Sequence, residues 1–482
     1  MRFSRGRSRM GWGLVAACSI GVPLACSSSG PTIEPSDAAL PEDAAVEETD
    51  PPENMTRPAW TEADLKTIRS FAPAVLPKRS DATNKFADDP NAAVFGRKLF
   101  FSPLFAGKLL DGDNNGAPTT LGNKGESAKV SCAGCHQAEA QFSDRRTLGR
   151  QISLGSGWVL RKSPSLLDVN EVPVLMWDGR RDTLFNQVFG PIESPLEMNS
   201  SRLFVAQQVF KLFRTEYEAI FGVMPPLGDA ARFPALTNDT TGCVPSGPAP
   251  KDPCEGTSRG TPGDKGVYDA LAPGDQELVT RVVVNVGKAI GAYERQLSCG
   301  PTRFDAWVNL GQALSPSEER GAQLFVGKAG CVTCHGGPYF SDHKFYNVGL
   351  LPQTVAVVFR DVGDRGASVG LEKALVDPLN SKGIFSDGDD QRLPTSVTPE
   401  MEGAFRTPML RCVNKRPSFM HTGHMRTLQE VVEFFNRGGD RGGFPGISVL
   451  RPLNLSDEEV KDMVHFMEAL EGPGPSAEWL KP

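Results

Sequence analysis

Histidine is scarce in this chain, with six residues in 482, and cysteine numbers only ten. A motif that uses both types, twice over, is therefore not an accident of composition. Positive charge is not in excess either: 51 Lys and Arg face 58 Asp and Glu, for a net charge of −7. That balance gives no footing for nucleic-acid binding. Beyond residue 25 no run has the length and apolarity of a membrane-spanning helix. Hydrophobic residues at 39% and charged residues at 23% are ordinary for a soluble globular protein, and the length allows two or three domains. What is plentiful is Gly (50) and Pro (39), which predicts short helices joined by much irregular chain.

Two Cys-x-x-Cys-His runs stand out, Cys132-Ala133-Gly134-Cys135-His136 and Cys331-Val332-Thr333-Cys334-His335. Each reads as a covalent c-type haem attachment site, in which two thiols bond the porphyrin vinyl groups and the histidine reaches the iron. A zinc ribbon would want its thiol pairs close together, whereas these lie 199 residues apart. A redox dithiol has no need of the histidine. Two haems are the expectation.

The N-terminus reads as an export signal. Arg2, Arg5, Arg7 and Arg9 precede an apolar stretch, residues 10–25, too short to span a bilayer. Leu24-Ala25-Cys26 followed by Ser27-Ser28-Ser29-Gly30 resembles a bacterial lipoprotein cleavage box, with Cys26 as the lipid anchor. Pro23 is unusual in such a box, Cys18 offers a competing one, and plain secretion is the alternative. Export suits the haems, which are attached outside the cytoplasm, so a periplasmic lipoprotein is expected. Loss of residues 1–25 takes the net charge to −11, and eight of the remaining acids fall within residues 31–54. Residues 26–58 accordingly read as a disordered acidic, Pro/Ala-rich tether. In that oxidising compartment Cys243 and Cys254, which bracket a Gly/Pro/Ser-rich stretch, form one candidate disulfide, and Cys299 and Cys412 a long-range second.

The expected fold is mostly α. An internal repeat, Gly96-Arg97-Lys98-Leu99-Phe100-Phe101 and Gly321-Ala322-Gln323-Leu324-Phe325-Val326, leads towards each haem motif. Ser315-Pro316-Ser317-Glu318 and Ser456-Asp457-Glu458-Glu459 read as helix starts. The helix after Ser456 carries Val460, Met463, Val464 and Met467 on one face, which should pack on the helix carrying Leu324 and Phe325. Further helices are expected over 202–221 and 276–297, with 225–273 a loop insertion. Residues 111–116 resemble half a calcium loop, but position twelve is Gly122, so an Asn/Gly turn is expected.

The order of motifs resembles the bacterial di-haem cytochrome c peroxidase superfamily, which includes methylamine-utilisation-type di-haem enzymes. The resemblance rests on the segments already quoted and on Lys162-Ser163-Pro164-Ser165-Leu166-Leu167, Trp177-Asp178-Gly179-Arg180, Gln187, Gly190-Pro191, Glu197-Met198-Asn199, Glu294-Arg295 and Phe304-Asp305. It continues through Phe340-Ser341-Asp342, Asn347-Val348-Gly349, Phe405-Arg406-Thr407-Pro408 and Met420-His421-Thr422-Gly423. It implies two cytochrome c-like domains with one haem each, over 59–300 and 301–482. The haem on His136 would be peroxidatic, Glu197 its distal acid–base, Gln187 a hydrogen-bond donor to bound peroxide, and Trp177 an aromatic bridge between the haems. The haem on His335 would take electrons from a small cytochrome c or cupredoxin. Hydrogen peroxide reduced to water is the implied reaction. An oxidase using ferryl chemistry on a protein or organic substrate is the alternative, and a non-catalytic electron carrier a third. Family members are often dimers.

Three departures matter. Where many members hold a distal histidine this chain has Gly155-Ser156-Gly157-Trp158, and His136 is the only histidine before His335. The family's Met or Tyr sixth ligand to the second haem falls on Phe435, leaving Met420, Met425, His424 and His343 as candidates. An Asn that helps hold an inter-domain calcium in the family is Lys162 here, and an ammonium cannot ligate Ca²⁺, so no calcium is expected there. The first departure has a direct check. The oxidised, haem-loaded protein should give a strong high-spin ferric electron paramagnetic resonance signal, whereas two purely low-spin haems would mean that another ligand closes the first iron.

Overall fold

The computed structural model describes residues 55–146, 152–243, 260–351 and 363–482, all within one compact unit, Glu53–Pro482. The expected signal peptide, Cys18, the Cys26 anchor, nearly all of the acidic tether and Cys254 lie outside the described residues.

Among the described residues the architecture is helical, with one two-stranded antiparallel ribbon. In chain order the helices are α1 (Glu62–Phe71), α2 (Pro90–Phe101), α3 (Cys132–Cys135), α4 (Leu184–Gln187), α5 (Phe189–Glu193), α6 (Arg202–Leu212) and α7 (Arg214–Phe221). There follow α8 (Pro273–Glu294), α9 (Arg303–Leu310), α10 (Pro316–Val326), α11 (Ala367–Val376), α12 (Leu428–Asn436) and α13 (Asp457–Glu468). Strands β1 (Phe345–Tyr346) and β2 (Phe405–Arg406) pair Phe345 with Arg406 and Tyr346 with Phe405. No described helix is long and apolar enough to cross a membrane.

Local chemistry sets the helix starts. Ser315 and Ser456 close capping boxes with Glu318 and Glu459, and Pro316 stands at the first helical turn of α10. The single helix expected over 202–221 is two, because Phe213 leaves helical geometry at φ −135°, ψ 20°. The helix expected from 276 begins earlier, at Pro273, a residue suited to a first turn, and ends at Glu294. Between Phe221 and Pro273 the described residues hold no regular element. Residues 111–116 turn on local bonds, such as the Asp113 N–H to the Asp111 carboxylate at 2.9 Å.

The Gly-x-x-Leu-Phe repeat has a packing cause. A Cβ on Gly96 would sit 1.9 Å from the Ala289 carbonyl oxygen of α8, and one on Gly321 would sit 2.0 Å from the Asp462 carbonyl of α13. In each case the missing side chain lets two helices close on each other, α2 on α8 and α10 on α13. The Leu and Phe that follow then enter a core. The first core gathers Phe95, Leu99 and Phe100 with Val282, Val283 and Val286 of α8. In the second, Val460, Met463 and Met467 pack as expected, and Phe466 joins Phe304, Phe325 and Phe340 in a cluster of edge-on rings. Ile68 and Phe71 of α1 belong to this second core although they precede the first haem motif.

A disulfide joins Cys299 to Cys412, spanning 113 residues. Beside it the buried Arg411 guanidinium makes two bonds to Asp305, at 2.6 and 2.8 Å, and a third to the Phe71 carbonyl. Closing a loop of that length removes about 4–5 kcal/mol of unfolded-chain entropy. The Cys299→Ser, Cys412→Ser double variant should therefore lose roughly 2–5 kcal/mol of stability, read as a lower urea midpoint than the oxidised parent. Identical midpoints would show that the bond contributes nothing.

Candidate active site

The first attachment motif forms the one-turn α3, whose residues Cys132, Cys135 and the adjoining His136 stand on the wall of a cavity of about 610 Å³. Trp177, Gln187 and Glu197, the residues singled out from the sequence, line the same cavity, so chain segments as far as 65 residues apart converge on it. Glu197 is held in place by its backbone: its carbonyl accepts from the Ser156 N–H at 2.8 Å, and the Leu196 carbonyl accepts from Gly157 at 3.0 Å. A Cβ on Gly155 would fall 2.9 Å from the Glu197 Cα, so glycine is required for this close approach. Burial pushes the Glu197 carboxyl above the ordinary carboxylate range. Ser156 itself is buried, and its hydroxyl donates to the Lys108 carbonyl at 2.8 Å while accepting from the Leu110 N–H at 3.1 Å. It is thus committed to backbone and does not line the cavity. His136 is the one histidine among the lining residues.

Both attachment histidines are set in the same way. The His136 Nδ1–H donates to the Phe142 carbonyl at 2.9 Å and the His335 Nδ1–H to the Phe340 carbonyl at 2.8 Å, which leaves each Nε2 as the free ligand nitrogen. Burial lowers the pKa of both rings, favouring the neutral form that binds iron. To aim those carbonyls Phe142 and Phe340 adopt left-handed backbone, φ 54° and 52°. Each is followed by Ser-Asp, and the Ser143 and Ser341 hydroxyls donate at 2.8 Å to the Ser163 and Thr407 carbonyls.

These coincidences belong to a longer internal repeat that the sequence reading missed. At a constant offset of 244 residues, Ser163-Pro164, Val169-Asn170, Pro173, Met176, Gly179, Thr183-Leu184 and Val188 recur as Thr407-Pro408, Val413-Asn414, Pro417, Met420, Gly423, Thr427-Leu428 and Val432. The signal was present as spaced identities without hydrophobic periodicity. The offset pairs Lys162 with Arg406 and Trp177 with His421, and the structure joins the pairs crosswise. The Arg406 N–H donates to the Trp177 carbonyl and the Lys162 N–H to the His421 carbonyl, both at 2.8 Å. The Trp177 and His421 rings lie 6.3 Å apart, Trp177 Nε1 donates to the Lys162 carbonyl at 2.7 Å, and His421 stacks on Phe405 at 3.6 Å. The Lys162 ammonium is buried, bonds the Asp144 carbonyl, and is pushed down to about 8 by burial.

The cavity suits a haem. Its walls are largely apolar, with Leu99, Phe100, Val130, Leu166, Val286 and Ile290 among them. Two buried guanidiniums, Arg406 and Arg416, also line it, are pushed down to about 10 by burial, and make no ion pair among the described residues. Among the described residues the Arg416 Nε has no hydrogen-bond partner. Buried cations without an ion pair call for anions, and the two propionates of a haem would supply them. Neither arginine was singled out for this role from the sequence. Glu294 faces the same cavity, and burial alone pushes it up to about 8.

At the second motif Phe435, Met420 and Met425 pack on the second core. The His424 Nδ1 pairs with the Thr422 hydroxyl at 2.6 Å and that of His343 with the Ser341 hydroxyl at 3.4 Å. Cys243 is buried, and its expected partner lies outside the described residues.

A helical fold with two like-built cysteine–histidine sites, one opening on a cavity with a buried carboxylate, suits a di-haem c-type redox protein. Residues 90–240 match the family model described as di-haem cytochrome c peroxidase. The methylamine utilization protein MauG of Methylorubrum extorquens is 26% identical over 386 residues, covering 79% of this chain and 78% of that one. The cytochrome-c peroxidase IdrP1 of Denitromonas iodatirespirans is 39% identical over 194 residues, 38% of this chain and 48% of that one. In fold the chain is similar to the diheme peroxidase BthA of Burkholderia thailandensis, with a TM-score of 0.55 at 22% identity over 84% of this chain and 97% of that one. The chain is thus similar to the di-haem cytochrome c peroxidase family, and the likeness marks it as an oxidoreductase.

A Cys132→Ser, Cys135→Ser variant should lose one of two covalently attached haems by intact mass. Arg406→Met with Arg416→Met should keep both but lower the reduction potential of the first, since two buried cations that favour the reduced state are gone. An unchanged potential would place the propionates elsewhere.

Proposed function

We propose that this protein reduces hydrogen peroxide to water at the cavity of His136, with electrons delivered through the haem on His335 by a small cytochrome c or cupredoxin. The carrying observation is the convergence of Glu197, Gln187 and His136 on one buried cavity. A haem held there by Cys132, Cys135 and His136 would supply the iron and the redox equivalents. Glu197 takes the proton from the nearer peroxide oxygen and returns it to the farther one, so that water is the leaving group. Gln187 holds the peroxide by hydrogen bonding, and Trp177 with His421 links the two haem-binding halves, 59–300 and 301–482. Lys162 stands as a fixed internal cation, so no calcium enters beside it. The chain acts in the periplasm, held to a membrane by lipid on Cys26.

An oxidase acting on a protein or organic substrate is the second reading, favoured by the alignment with MauG over 79% of this chain. The two differ in where electrons come from. Under the first, peroxide oxidises reduced cytochrome c stoichiometrically in the presence of this protein. Under the second, it does not.

Glu197→Gln keeps the shape and removes the base. Peroxide turnover should fall by roughly 10²–10⁴, and a smaller loss would move the proton-transfer role to another group. The pH profile gives an independent check. A base must be ionised to act and the Glu197 carboxyl is raised, so activity should fall on acidification at a pH above the ordinary glutamate value of about 4.3. In Glu197→Gln that limb should vanish.

A further inference from the structure

The repeat makes the surroundings of the two outer attachment cysteines comparable, and they differ at one place. In the first half Asp144, of the Phe-Ser-Asp segment, is paired with Arg146, whose guanidinium lies 3.3 Å from Cys135 Sγ. In the second half the matching Asp342 pairs with a phenol instead. Tyr346 donates its hydroxyl proton to the Asp342 carboxylate at 2.7 Å and lies beside Cys334.

That phenol is unlike the other tyrosines. The chain has five. Tyr217, Tyr268, Tyr293 and Tyr339 are buried. Tyr268, Tyr293 and Tyr339 donate to the backbone carbonyls of Gln276, Trp479 and Pro77, and Tyr217 accepts from the Asn285 amide. Tyr346 is half-exposed and is the one whose hydroxyl meets a carboxylate. A phenol with a base at hydrogen-bond distance can lose an electron without creating a phenol cation, because the proton leaves with it.

Tyr346 also has an inward connection. It is the direct cross-strand partner of Phe405, so the two side chains stand on one face of the β1–β2 ribbon. Phe405 stacks on His421 at 3.6 Å and 18°, and His421 lies 6.3 Å from Trp177, which lines the first cavity. The half-exposed phenol beside the second attachment site is therefore one cross-strand step from a run of rings, Phe405, His421 and Trp177, that reaches the wall of the first.

We propose that Tyr346 is a redox-active tyrosine through which reducing equivalents enter this protein. Its phenol gives one electron inward to the haem-binding region at Cys334 and its proton to Asp342, leaving a neutral phenoxyl radical and a neutral carboxylic acid. An external one-electron donor then reduces the radical, and Asp342 returns the proton. Two such passages supply the two electrons that one hydrogen peroxide takes up, with two further protons from water, in forming two water molecules. This rests on the peroxidase reading for its oxidant.

The test uses the full-length, haem-loaded protein with no donor, treated in parallel with hydrogen peroxide and with hexachloroiridate(IV), a one-electron oxidant independent of peroxide chemistry. Freeze-quenched samples are read by electron paramagnetic resonance, and oxidised tyrosines are mapped by peptide mass spectrometry. A tyrosyl radical is expected in both arms, with oxidation concentrated on the Tyr346 peptide. Tyr346→Phe should abolish it and Tyr339→Phe should leave it in place. Asp342→Asn, which keeps the phenol exposed but removes the base, should slow Tyr346 oxidation by at least about tenfold. Radical signal persisting in Tyr346→Phe, oxidation spread evenly over five tyrosines, or an Asp342→Asn variant as fast as the parent would each overturn the proposal. If iridate oxidises Tyr346 with the Asp342 dependence while peroxide leaves the protein unchanged, the tyrosine assignment stands and the peroxidase reading fails.

Discussion

Two backbone hydrogen bonds tie the molecule together where its halves meet. Arg406 donates to Trp177 and Lys162 to His421, each at 2.8 Å, and each bond runs from one copy of an internal repeat to the other. Because the donors and acceptors are main-chain atoms, the bonds fix segment against segment whatever the side chains are. Buried N–H and C=O groups must be paired, so shifting either segment would orphan both bonds at once. The Trp177 and His421 rings are then held 6.3 Å apart, and Arg406, from the second half, is delivered to the cavity of the first. The first haem site is thus not complete within the first half of the chain.

The same physical devices are used twice and diverge only where chemistry asks for it. Gly96 and Gly321 each leave room for a backbone carbonyl of the facing helix. Phe142 and Phe340 each accept the unfavourable left-handed backbone that turns a carbonyl onto an imidazole, a local cost of order 1–3 kcal/mol repaid by a fixed ligand. Around these common parts the cations differ. Lys162 bonds the Asp144 carbonyl, whereas Arg406 and Arg416 form no ion pair among the described residues. Burial of those two groups would be costly in isolation, and it is an arrangement that makes sense with an anionic cofactor in the cavity.

Burial also separates the roles of the acids. Glu197 and Glu294 both face the cavity, and burial raises both above the ordinary carboxylate range. By contrast Asp178, against the upward push of burial, is held down to about 2 by Arg180 and Arg161 and stays a permanent anion. The one cavity thus holds both raised carboxyls and a carboxylate kept ionised by its arginines.

Much was legible in the sequence. The two Cys-x-x-Cys-His runs state their own chemistry because thioether formation and iron ligation demand those atoms in that spacing, and capping boxes announced α10 and α13. The apolar stripe at Val460, Met463 and Met467 told where α13 would pack. Less legible was anything set by contact between distant segments. The break at Phe213, the entry of α1 into the second core, and the arrival of Arg406 and Arg416 at the first cavity leave no local trace. Periodicity reports on one element, while these depend on which element lies opposite. The 244-residue repeat was written in the sequence yet carried on scattered single residues. The sequence by itself therefore determined the cofactor chemistry and the helical class, through covalent and local constraints. Only the tertiary structure decided which cations, rings and carboxylates share a cavity, because that is settled by the long-range packing of two repeats against each other.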